Sequence, residues 1–115
     1  MLWRCFMILN INNNQRIYLC CTPSSFCGGV AAFQMKIRVF FKEEDIRDSY
    51  FIFCNKNKKQ IKIYYEDEKG SYLTIYRLHE GRFEFPEADG NAYKIDLRQL
   101  EWILEGMTIL KREKI

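Results

Sequence analysis

Apolar and polar positions alternate most plainly in the middle of the chain, where Ile61, Ile63 and Tyr65 are interleaved with Lys62, Tyr64 and Glu66. Successive side chains of a strand point to opposite faces, so this period of two predicts a strand with the first three residues on one sheet face. Before it, Tyr50-Phe51-Ile52-Phe53-Cys54 reads as a strand of β-favouring residues that runs into the polar turn Asn55-Lys56-Asn57-Lys58-Lys59. After it, Asp67-Glu68-Lys69-Gly70 turns the chain into a strand over residues 72–78. His79-Glu80-Gly81 turns it again into a strand over residues 82–85, which Pro86 ends because it has no backbone donor. Connections this short predict an antiparallel meander, and residues 92–95 offer one more short strand.

Helical spacing flanks this region. Residues 16–20 read as a first strand, followed by Thr22-Pro23-Ser24-Ser25, whose serines can cap a helix. Phe26, Val30, Phe33 and Ile37 then recur on one helical face, against the cost of Gly28 and Gly29. Residues 42–48 read as a charged connection. Near the other end, Asp96 and Gln99 have capping-box spacing ahead of Leu97, Leu100, Ile103 and Leu104, and Gly106 stands at the position of a left-handed C-terminal cap. The expected fold is α+β: an antiparallel β-meander with a C-terminal helix and a shorter N-terminal helix packed against the sheet. Residues 1–115 are expected to form a single domain, with residues 1–15 an irregular N-terminal segment.

Composition agrees with a folded domain, since 48% of residues are hydrophobic and 16% aromatic, too apolar for a disordered chain. The apolar stretch over residues 2–9 is short, contains Arg4 and runs into Asn12-Asn13-Asn14, unlike a secretory leader. With no apolar run of ~20 residues to cross a bilayer, a cytoplasmic protein without a membrane partner is expected. The five cysteines, Cys5, Cys20, Cys21, Cys27 and Cys54, form no CxxC pair, and His79 is the lone histidine. That pattern predicts reduced thiols, no disulfide and no zinc. No phosphate loop and no Ser/His/Asp arrangement is present, so neither an enzyme nor a cofactor is expected.

The net charge of +3 matters less than its distribution. Residues 50–82 carry seven basic side chains against four acidic ones, whereas residues 83–105 are acidic. Lys56, Lys58, Lys59 and Lys62, with Arg77 and Arg82 from neighbouring strands, are the candidate nucleic-acid-binding residues: cations can hold phosphates while an exposed ring such as Tyr64 stacks on a base. The competing reading is a solvated hairpin tip whose lysines discourage edge aggregation. Tyr64, Tyr65, Tyr72 and Tyr76 are explained as cross-strand packing without a ligand.

Two blocks carry a family likeness: Arg77-Leu78-x-x-Gly81-Arg82-Phe83, and Gln99-Leu100-x-x-Ile103-Leu104-Glu105-Gly106. With the strand and turn before them, they make the C-terminal two-thirds resemble the TnpB-type accessory protein, the second-reading-frame product of IS66-family insertion sequences. The N-terminal third departs from that pattern. Relatives carry an acidic residue, a methionine and two basic residues after the first strand, where this chain has Thr22-Pro23-Ser24-Ser25. The resemblance implies a bacterial, non-catalytic protein that assists transposition, with the transposase of the same element as partner and DNA as a second one. The alternative is a protein–protein adaptor that docks on the transposase by a sheet edge or its acidic C-terminal helix, without direct DNA binding.

Overall fold

The computed structural model describes residues 15–22, 26–42, 44–104 and 113–114, with side chains through Leu104. The N-terminal segment before Gln15, the serine cap at Ser24 and Ser25, and the glycine cap at Gly106 lie outside the described residues.

Strands β1 (Arg16–Cys21), β2 (Ser49–Cys54), β3 (Gln60–Glu66), β4 (Ser71–Arg77), β5 (Asn91–Ile95) and β6 (Glu113–Lys114) form one sheet in the order β4-β3-β2-β1-β5-β6. Helix α1 (Val30–Phe40) lies between β1 and β2 in the chain, and α2 (Leu97–Leu104) follows β5. The meander β2-β3-β4 is antiparallel throughout, with Ile63 opposite Ile52 on one side and Thr74 on the other.

Three expectations need correction. The sheet is mixed, because β1 runs parallel to β2, with Ile17 beside Tyr50. A parallel pair needs a crossover of about a dozen residues or more, which α1 and its flanking segments supply. Secondly, residues 82–85 are not a strand. Phe83 N donates to Lys58 O at 2.7 Å, and the alternation of Phe83 and Phe85 serves to bury both rings outside any ladder. Thirdly, no helix follows directly from the serines. Residues 26–29 are irregular, and the helix starts at Val30, with Gly29 at its N-cap and no side-chain cap. At eleven residues it is not the shorter of the two described helices. Gly28 accounts for the late start: its φ is +111°, and a Cβ there would lie 2.6 Å from Ala32 Cβ.

Both faces of the sheet are buried. Ile17, Leu19, Ile52, Ile61 and Ile63 face Leu100, Ile103 and Leu104 of α2, together with Phe83 and Phe85. On the opposite face, Phe51, Phe53 and Tyr64 pack under Phe33, Ile37 and Phe41, with Phe33 meeting Phe53 edge-on at 4.8 Å between ring centres. The alternation along β3 is therefore real, but the side opposite Ile61 and Ile63 faces a second core rather than water. Ile46, in the charged connection, is drawn into that core as well.

One end of each helix is satisfied locally by side chains. Asp96 N donates to Gln99 Oε1 at 2.9 Å and Gln99 N to Asp96 Oδ1 at 2.7 Å, a reciprocal capping box at the start of α2. At the end of α1, Arg38 Nη1 reaches Glu44 O at 2.9 Å and the carbonyls of Phe41 and Lys42 at 3.4 Å. A cation at a helix C-terminus also suits the helix dipole.

Candidate nucleic-acid interface

The turn between β2 and β3 is built by asparagine. Asn55 Oδ1 accepts from Lys59 N at 3.0 Å and Gln60 N at 3.1 Å, and Asn57 Oδ1 accepts from Lys59 N at 3.2 Å. Lys58 takes the left-handed conformation that the turn needs, with φ of +61°. The segment after β4 is tied to this turn: Leu78 N donates to Lys59 O at 2.8 Å, and Phe83 N to Lys58 O. Four of the six expected cationic residues thus gather along one rim, since Arg77 ends β4 opposite Gln60 and Arg82 immediately precedes the anchored Phe83. Lys56, Lys59, Arg77 and Arg82 are exposed.

The other two are engaged elsewhere. Lys58 Nζ forms an ion pair with Glu87 at 3.1 Å, which puts a carboxylate into the basic rim. Lys62 points to the α1 face, where its Nζ donates to Phe26 O at 2.9 Å and Gly28 O at 3.3 Å and lies 4.8 and 5.1 Å from the centres of the Phe26 and Phe33 rings. Its task is to hold the irregular segment ahead of α1, so it does not belong to the rim. Tyr64 is fully buried and unavailable to stack on a base. Burial, followed by its hydrogen bond to Glu66, pushes its hydroxyl up to about 12. Tyr65 and Tyr72 do pair across β3 and β4, 5.4 Å apart. Glu101, counted with the acidic C-terminal segment, sits on the buried side of α2 itself, which weakens that helix as an acidic docking face.

A cleft of about 540 Å³ opens at the carboxyl ends of β1 and β2, lined by Cys20, Cys21, Cys54, Phe26, Lys58 and Glu87 among others. No local pattern of residues marks it, because it depends on the parallel pairing of those strands. Burial pushes the Cys54 thiol up to about 12 and the Cys20 thiol well above its ordinary value. Both sulfurs are therefore protonated at neutral pH, the form that neither attacks nor ligates. Among the described residues, no group of three or more His, Cys, Asp or Glu side chains could hold a metal ion, and the cysteines are free thiols. No helix among the described residues is long and apolar enough to cross a membrane.

The arrangement defines a small sheet scaffold with a helix on each face and a cationic rim at one end. Residues 15–114 match the family described as IS66 Orf2 like protein. The chain belongs to that family, and so to the accessory proteins of insertion sequences, which are not a class of known catalysts. It is 26% identical over 100 residues to the uncharacterized protein y4hO of Sinorhizobium fredii (strain NBRC 101917 / NGR234), covering 87% of each chain. No solved structure gives a significant match.

Proposed function

We propose that the protein assists transposition by laying the rim formed by Lys56, Lys59, Arg77 and Arg82 along the phosphate backbone of element DNA while the transposase acts. The observation that carries this reading is the pair of backbone hydrogen bonds from Leu78 and Phe83 to the Lys58–Lys59 turn, which joins cations from two separate loops into one surface. Nothing along the rim reads base edges, so binding is governed by charge and is insensitive to sequence.

The test is fluorescence anisotropy with duplex and single-stranded oligonucleotides over a salt series. A variant combining Lys56→Gln, Lys59→Gln and Arg82→Gln changes exposed side chains and retains the fold by circular dichroism. It should lose affinity for every sequence, and its log–log salt slope should shrink by roughly 0.7–0.9 per phosphate contact removed. An unchanged slope in the folded variant would eliminate the rim as a DNA surface. Transposase capture that survives both the substitutions and high salt would favour the adaptor reading.

A further inference from the structure

Strand β4 is the outer strand on its side of the sheet, hydrogen-bonded among the described residues to β3 alone. Natural edges are usually protected by lysine, proline, a bulge or a covering loop. Residues 72–76, Tyr-Leu-Thr-Ile-Tyr, contain no charge and no proline, and both Tyr72 (45%) and Ile75 (55%) are substantially exposed.

The direction of the open backbone groups follows from the hairpin. Asp67 N donates to Gly70 O and Leu78 N to Lys59 O, so even-numbered residues of β4 turn their N–H and C=O toward β3. Ser71, Leu73, Ile75 and Arg77 turn theirs outward.

We propose that β4 pairs antiparallel with β4 of a second copy of this chain, about a two-fold axis through Thr74, giving one sheet continuous across a homodimer. A two-fold interface sets each residue i opposite j and j opposite i, and because residues 72–76 are nearly palindromic about Thr74, like side chains meet across the axis. Leu73 stands opposite the partner's Ile75, and Ser71 opposite the partner's Arg77; these are the outward-facing residues that can exchange N–H···O bonds. Thr74 meets the partner's Thr74 as the close, non-hydrogen-bonded pair. Tyr72 lies opposite the partner's Tyr76, an aromatic pair on the face covered by α2. Charge agrees with the same register: the Arg77 end of each strand lies beside the partner's Asp67-Glu68 turn. A slip of one residue would bring inward-facing backbone groups to the interface, and a slip of two toward Leu73 would set Arg77 opposite the partner's Lys69, a like-charge pair.

Sedimentation of the full chain should give a dimer of twice 13.9 kDa at micromolar concentration. Ile75→Glu places a carboxylate beside Lys62 of its own sheet, which preserves the fold, and against the partner's Leu73, which opposes pairing. It should sediment as a monomer with an unchanged circular dichroism spectrum. Thr74→Cys, made with Cys5→Ser and Cys27→Ser, should crosslink between copies under mild oxidation, because a non-hydrogen-bonded pair sits ~4.5 Å apart at Cα. Ser71→Cys in the same background should not. A monomeric parent protein would overturn the proposal, as would a dimer that persists in Ile75→Glu, or a Thr74→Cys protein that fails to crosslink.

Discussion

Lys62 Nζ donates to the carbonyl oxygen of Phe26, 36 residues earlier in the chain, and lies over that residue's ring. A hydrogen bond to a charged donor is worth about 1.5–3 kcal/mol when removal leaves its acceptor unsatisfied. Lys62→Gln should destabilise by that order in urea unfolding, with no change in the DNA salt slope. A Lys62→Gln protein of unaltered stability with a reduced salt slope would return this residue to the cationic rim.

The capping box of α2 gives a second measurement. Replacing Asp96 with Ala removes the acceptor for Gln99 N, which should cost about 0.5–2 kcal/mol. Gln99→Ala, which removes the acceptor for Asp96 N instead, should be milder because that N–H is exposed and water can replace the lost acceptor. Since the two bonds form one reciprocal unit, the double variant should cost less than the two single costs added together.

Thiol accessibility separates the cysteines. In a Cys5→Ser background, the exposed Cys27 should react with an aromatic disulfide reagent at pH 8 in the folded protein. Cys20 and Cys21 are buried, and the Cys54 thiol is held up to about 12 by burial, so these three should react only on unfolding. Prompt reaction of Cys54 would show that the cleft beside it admits solvent and reagent freely.

Acid should loosen the loop ahead of β2 only at very low pH. Arg47 binds the Asp45 carboxylate through its side chain and its backbone N–H, each at 3.0 Å, and holds the carboxyl at about 2. The folded value lies below the ordinary ~3.9, so this group's contribution is complete above that pH and is lost as pH falls toward 2. An NMR titration of the Asp45 carboxyl carbon should have its midpoint near 2. A midpoint near the ordinary value would mean that the pair does not persist in solution.

The elements were more legible than their partners. Period-two alternation located β3, and the Asp96–Gln99 spacing located α2, because both signals are local. The parallel placement of β1 beside β2 is not a local property. Its trace was the order strand, helix, strand over residues 16–54, which is the sequence form of a parallel crossover and was outweighed by the hairpins that follow. Phe83 and Phe85 imitated a strand because burial selects alternate apolar residues whether or not the backbone is paired. For the rim, charge marked Lys56, Lys59, Arg77 and Arg82, but charge alone could not separate them from Lys62, whose ammonium group is claimed by carbonyls far away in sequence. Glu87, which pairs with Lys58, carried no signal of its own.

The position of β1 between β2 and β5 also sets an order of assembly. Strands β2, β3 and β4 are joined by tight turns and can pair as soon as they are made. β1 is synthesised first among the described strands but gains its second neighbour only when Ile95 arrives opposite Ile17. Contacts so distant in sequence close slowly. Pulse-labelled amide exchange during refolding should therefore protect Ile63 before Leu19. A copy of the gene interrupted before Asn91 would still encode the hairpins, but the strand at the middle of the finished sheet would be left as an open edge, making a truncated relic prone to aggregation rather than merely inactive.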